Sequence, residues 1–170
     1  MADSALNTLI LVRHAKSDWD PIDGVYLADV DRPLSERGKR DIDKIAAWLA
    51  TVIEEPVGIL TSPARRAQDT AQVLVSKMKQ AKIDTKKSLY MANSGTLEKV
   101  VRQADSKCLM LVAHNPGLEE FVLRLAPELA VANRYRKLMP TSAVYAFSYA
   151  GRSLEPGKVQ VLFHQRPKLL

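Results

Sequence analysis

The chain has 170 residues against a common domain size of about 150, so one domain over residues 1–170 is expected. Apolar types make up 46% and charged types 26%, a soluble globular balance that excludes disordered and collagen-like chains. The 25 Lys and Arg exceed the 19 Asp and Glu by 6, which admits nucleic acid, an anionic membrane or a phosphorylated substrate, and one cysteine excludes a disulfide framework or multi-cysteine zinc site.

Residues 1–5 show no basic leader, and the first apolar run, Leu9-Ile10-Leu11-Val12, is too short for a signal core or a membrane span. A soluble, cytoplasmic protein is expected. The run lacks alternation and predicts a strand covered on both faces. Ile42, Ile45, Ala46, Leu49, Val52 and Ile53 then recur at helical spacing, with Ser35 as N-cap and Pro56 as stop. A second buried strand is predicted at 57–60, followed by a helix striped with Ala67, Ala71, Leu74, Val75 and Met78. A weakly marked strand falls at 87–90, before a third stripe of Leu97, Val100, Val101 and Ala104. The third buried strand spans 109–113 behind Cys108, which reads as a small buried hydrophobe and not a reactive thiol. Leu118, Phe121, Val122 and Leu125 mark a fourth helix. Residues 143–149 and 158–164 alternate in period two around Gly151 and Pro156-Gly157, which predicts an antiparallel hairpin at the sheet edge. The alternation of strands and helices predicts an α/β fold, a three-layer αβα sandwich with a mostly parallel central sheet and an antiparallel C-terminal edge.

In open α/β sheets, ligands bind beyond the carboxyl ends of the parallel strands. Arg13 and His14 follow the first predicted strand, Ser62, Arg65 and Arg66 the second, and His114 and Asn115 the third. A single histidine after a strand is commonly a hydrogen-bonded loop residue, and an Arg pair at a helix start is commonly solvated. Their joint arrival at three strand ends carries more weight. Guanidinium forks match phosphate oxygens, and imidazole serves as nucleophile or acid–base group. Two Arg and two His without a carboxylate cluster describe a phosphate pocket, with no metal site and no cofactor.

These residues resemble a known family. Arg13-His14-Ala15 is similar to the Arg-His-Gly signature of the histidine phosphatase superfamily, whose fold is called phosphoglycerate mutase-like. Ser62, Arg66, Ala67 and Thr70 resemble its Ser-x-x-x-Arg-Ala-x-x-Thr motif, and Val112-Ala113-His114 the strand bearing its second histidine. The stretch Asp31-Arg32-Pro33-Leu34-Ser35-Glu36-Arg37-Gly38 and the short chain resemble the compact SixA-type phosphohistidine phosphatases. The resemblance implies His14 as nucleophile, with Arg13, Arg66 and His114 as phosphate-binding partners in catalysis. It implies Ser17 and Asn115 as further substrate contacts and Ser142 at the pocket rim. It also implies metal-independent turnover, a role in signal transduction, and a substrate that is a phosphorylated protein of the histidine phosphotransfer type.

Relatives that cleave phosphate esters carry a carboxylic acid for the leaving alkoxide. The corresponding stretch here, Tyr90-Met91-Ala92-Asn93-Ser94-Gly95, has none, and the position after the second histidine is Asn115. The imidazole of phosphohistidine leaves without a strong acid, so the departure favours that substrate; Asp18, Asp20 and Glu119 are the stand-ins for a proton donor. Competing readings are a general phosphomonoesterase or mutase acting on a small phosphorylated molecule, and a phosphoprotein-binding module without turnover. Nucleic-acid binding is disfavoured, because residues 64–87 hold much of the excess charge in a run read as a solvated helix end and turn. Residues 17–30, with Trp19 and Tyr26, read as a lid or specificity loop, and His164 as structural or surface.

Overall fold

In a computed structural model, residues 6–132 and 137–170 are described. Residues 1–5, where no leader was read, lie outside them. The six strands are β1 (Leu6–Arg13), β2 (Val57–Thr61), β3 (Ala81–Thr85), β4 (Cys108–Ala113), β5 (Val144–Ala150) and β6 (Val159–Gln165). The helices are α1 (Glu36–Val52), α2 (Arg65–Lys77), α3 (Ser94–Gln103), α4 (Gly117–Leu125) and α5 (Leu129–Ala132). One sheet runs β3-β2-β4-β1-β5-β6, parallel from β3 to β1 and antiparallel from β1 through β5 to β6.

The unbroken apolar runs are explained by this order. β4 lies between β1 and β2, and all its residues are buried. Alternate residues serve opposite faces: Leu9 and Leu11 of β1 pack in a cluster with Leu97 and Val101 of α3 and Phe121 and Val122 of α4. Ile10 and Val12 pack instead with Ile42, Ile45 and Leu49 of α1 and Ala67, Ala71 and Leu74 of α2. The result is the expected three-layer αβα sandwich. Cys108 is buried, and burial pushes its thiol up to about 12. Among the described residues, no helix is long and apolar enough to cross a membrane.

Two local devices hold α1 against the strand-end loop. Ser35 Oγ accepts from Gly38 N and donates to the Lys16 carbonyl. A Cβ on Gly38 would stand 2.1 Å from the Lys16 carbonyl oxygen, so only glycine permits this approach.

One predicted element is corrected. Residues 87–89 form a 3-10 turn, and the strand lies earlier, at β3, so the solvated turn expected beyond Lys77 is a strand. β3 is the sheet edge, with Lys82, Asp84 and Thr85 exposed and only Ala81 and Ile83 half-buried, which erased the apolar run. The C-terminal antiparallel hairpin lies at the sheet edge as expected: β6 is the outermost strand and β5, beside β1, is buried from Val144 through Tyr149. Its apparent polar alternation comes from Ser148 and from Tyr145 and Tyr149, whose rings are buried.

Candidate active site

The sheet order β2-β4-β1 sets three strand ends side by side. His14 N donates to the Ala113 carbonyl, and Ser62 N donates to the Val112 carbonyl, both at 3.1 Å. His14, Ser62 and His114 are thereby locked to one another through backbone before any side chain is placed.

His14 is buried, and its Nδ1 lies 2.8 Å from the Ala15 carbonyl. A carbonyl only accepts, so the proton sits on Nδ1 and Nε2 keeps its lone pair. Arg66 Nε–H reaches that Nε2 at 3.3 Å. Arg66 is fixed in turn: Thr70 Oγ donates to the Arg66 carbonyl at 2.6 Å while accepting from Ala15 N at 2.9 Å. Helix α2 and the catalytic loop are thus tied by the Arg66–Thr70 spacing of the motif.

His114 Nδ1 faces Arg66 Nη2 at 3.4 Å, and its Nε2 lies 2.7 Å from Ser62 Oγ. Arginine only donates, so Nδ1 carries the lone pair and Nε2–H donates to Ser62. The two imidazole centroids stand 5.0 Å apart. Burial pulls His14 down to about 3, helped by His114, Arg66 and Arg13 and opposed by the Ala15 hydrogen bond. Burial pulls His114 down to about 4, with Arg66 and Arg13 adding and Asp29 opposing. Both rings are neutral at pH 7.

These groups line an open cavity of about 730 Å³ whose wall also includes Arg13, Lys16, Ser17, Arg32, Arg37, Asn115 and Thr141. Arg13 Nη1 donates to the Met139 carbonyl at 2.9 Å, while its Nε is buried without a partner. Asn115 Nδ2 donates to the Met139 carbonyl and to Glu119, leaving buried Oδ1 unpaired. Ser17 lines the wall, but its Oγ accepts from Arg32 at 2.9 Å. Ser142 is not on the rim: it is fully buried at φ 62°, its N–H donating to the Arg13 carbonyl at 3.1 Å, and Thr141 lines the cavity instead.

The stand-in acids do not face the site. Asp18 accepts from Asp20 N, Asp20 is exposed, and Glu119 accepts from Asn115 and from Met139 N. A carboxylate that sequence reasoning missed does enter the cavity. Asp29 Oδ2 accepts from Arg66 at 2.9 Å and from the Tyr90 hydroxyl at 2.8 Å, and Oδ1 accepts from Arg32 at 2.8 Å. Burial alone would raise its carboxyl, but the bonds from Tyr90, Arg32 and Arg66 outweigh it and hold the group well below the usual carboxylate range. Arg32 also stacks on Trp19, 3.4 Å from the ring centroid. Among the described residues, no group of three or more His, Cys, Asp or Glu could hold a metal ion.

Residues 9–114 match the profile of the Histidine phosphatase superfamily (branch 1). The chain belongs to the histidine phosphatase superfamily. An uncharacterized protein of Mycobacterium tuberculosis is 34% identical over 154 residues, 86% of this chain and 93% of that protein. The structure assigned as phosphohistidine phosphatase SixA from Agrobacterium tumefaciens superposes with a TM-score of 0.77 at 27% identity, covering 95% of this chain and 98% of that one. A protein histidine phosphatase SixA in complex with tungstate shares the fold at a TM-score of 0.75 and 18% identity, covering 95% and 98%. Within the superfamily, the chain is of the SixA type, and phosphatase is its activity class. Arg66, not Arg65, occupies the site: Arg65 faces outward toward Asp69, and the Arg66 side chain is 3% exposed.

Proposed function

We propose that this histidine phosphatase hydrolyses phosphohistidine on a protein through a phosphoryl-His14 intermediate. The observation that carries the reading is the state of His14, whose neutral Nε2 lone pair faces the cavity because Nδ1–H is spent on the Ala15 carbonyl. In-line attack forms a P–Nε2 bond as the P–N bond of the substrate breaks. The other ring nitrogen of the phosphohistidine takes its proton from solvent, so the departing nitrogen leaves with the P–N electron pair as part of a neutral imidazole. Charge on the equatorial phosphoryl oxygens meets Arg66 and Arg13, which are in place beforehand. The incoming dianion also favours protonation of His114 and supplies a third positive donor. Water then attacks phosphorus, breaks the P–Nε2 bond and releases phosphate, restoring neutral His14. No metal enters these steps.

The leaving group is where the substrate class is decided. Asp29 is held ionised by three donors, so at neutral pH it has no proton to give an alkoxide. Asp18 and Glu119 spend their carboxylates on backbone and Asn115 contacts. This arrangement suits a phosphoramidate, whose nitrogen leaves without a strong acid.

The test compares kcat/KM on a histidine-phosphorylated phosphotransfer domain with that on a panel of phosphate esters. Faster turnover of the protein is expected; equal or faster ester turnover overturns the substrate class in favour of a general phosphomonoesterase. Alkaline quench, which preserves phosphohistidine, should trap label on the native protein and none on His14→Ala. Label retained in His14→Ala would assign the nucleophile elsewhere.

A further inference from the structure

A second basin adjoins the catalytic cavity. Its volume is about 500 Å³, and it shares Arg37 and Thr141 with the first. Lys44 of α1, Lys137, Arg166 at the end of β6 and Lys168 in the C-terminal 3-10 turn also line it, with Asp41 as its one carboxylate. Asp41 pairs with Arg37 at 3.4 Å. Among the described residues, none of the other four cations has a carboxylate within ion-pair distance. The basin is therefore a concentration of uncompensated positive charge on one side of the site, built from three parts of the chain.

We infer that this basin docks carboxylates on the face of a protein substrate, next to the phosphorylated side chain held in the His14 cavity. The inference rests on the phosphoprotein reading above for what the cavity holds. Two observations favour an acidic protein face over a second phosphate on a small molecule. Lys44, Lys137 and Lys168 are exposed on long flexible stems, whereas the phosphate-facing Arg66 is buried and fixed by several bonds. Exposed rim cations steer and orient a charged partner; they do not cage a phosphate. The catalytic cavity also carries large exposed apolar side chains, Trp19 at 69% and Met91 at 53%, and Trp19 continues into exposed Tyr26 on the same loop. Aromatic and Met side chains beside a charged rim are the composition of a protein interface. The loop 17–30, read from sequence as a lid or specificity loop, supplies the apolar part of the docking face.

The test uses Lys44→Glu combined with Lys168→Glu, neither of which lines the catalytic cavity. Substrates are a histidine phosphotransfer domain with an acidic face, phosphorylated by phosphoramidate, and phenyl phosphate. On the phosphorylated domain, the double variant should lose about tenfold in kcat/KM, mostly through KM, and most of its salt dependence. On phenyl phosphate, it should stay within about twofold, because neither lysine lines the cavity that holds the small substrate. Equal losses on both substrates, or no loss on the domain, would overturn the docking face. Failure of the native protein to turn over the phosphorylated domain while hydrolysing phenyl phosphate would sink the phosphohistidine reading alone. Docking is then decided by binding of the unphosphorylated domain. Weaker binding to the double variant supports it; equal binding, or none to the native protein, overturns it.

Discussion

Acid should unfold the protein by way of its two cavity histidines. Both are buried and neutral, with folded pKa values near 3 for His14 and 4 for His114, against 6.5 for an exposed imidazole. A lowered folded pKa means that the unfolded chain binds the proton first. Stability is then full above pH 6.5 and drains as pH falls toward the folded values. One pKa unit is worth about 1.4 kcal/mol, so moving from pH 7 to pH 5 costs about 2 kcal/mol per histidine and about 4 kcal/mol for the pair. With a urea slope of about 2 kcal/mol/M, the unfolding midpoint should drop by about 2 M on this account. The control is the double variant His14→Gln and His114→Gln, which keeps polar side chains at both positions and cannot titrate there. Urea titrations of both proteins at pH 7 and pH 5 should show the native protein losing about 4 kcal/mol more than the double variant. Parallel losses would mean that the imidazoles are not held neutral by their burial, and the argument for a preset lone pair on His14 would fail with them.

Arg66→Ala should lower kcat on phenyl phosphate by about 10²–10³-fold, because it removes the donor that faces both histidines. Arg66→Lys should recover little of this, since an ammonium cannot span the His14, His114 and Asp29 contacts; full recovery in steady-state kinetics would refute the forked role. Ser62→Ala should slow phenyl phosphate turnover about tenfold by freeing His114 from its acceptor, and an unchanged rate would remove Ser62 from the site. Gly38→Ala should cost about 1–3 kcal/mol in urea unfolding, because its Cβ meets the Lys16 carbonyl, whereas Gly95→Ala, exposed in α3 with its nearest contact at 3.6 Å, should be neutral or stabilising.

The parts legible in the sequence were those with a local signal. Buried runs at 9–12, 57–60 and 109–113 showed where strands end, and the strand ends showed where His14, Arg66 and His114 sit. The motif spacing from Ser62 selected Arg66 over its neighbour, a choice repeated by burial. Contacts made across the fold left no such trace. Asp29 and Arg32 come from a short 3-10 turn and its boundary, and Tyr90 from the segment before α3, with no periodicity linking them; only the folded chain brings them to Arg66. Edge strand β3 was misplaced for a related reason. It has one hydrogen-bonded neighbour, β2, and most of its side chains face water, so the apolar pattern that marks a strand is absent.

Positive charge takes on a different meaning once the chain is folded. Counted along the sequence, much of the excess lies at 64–87, where Arg65 is paired with Asp69, Lys77 with Asp43 and Lys86 with Asp84. Those charges are largely answered by neighbours and solvent. The cavity instead draws Arg13, Lys16, Arg32, Arg37 and Arg66 from separate stretches against the single carboxylate of Asp29. Asp29 accepts from Arg66, Arg32 and Tyr90 and keeps those donors pointed at one place, yet it is one carboxylate against five cations. The remaining field attracts a dianion, and Asp29 limits its strength, since a stronger field would also hold the product phosphate. A charge balance read as a hint of anionic partners is thereby reduced to two groups of residues, those that surround His14 and those that line the adjoining basin.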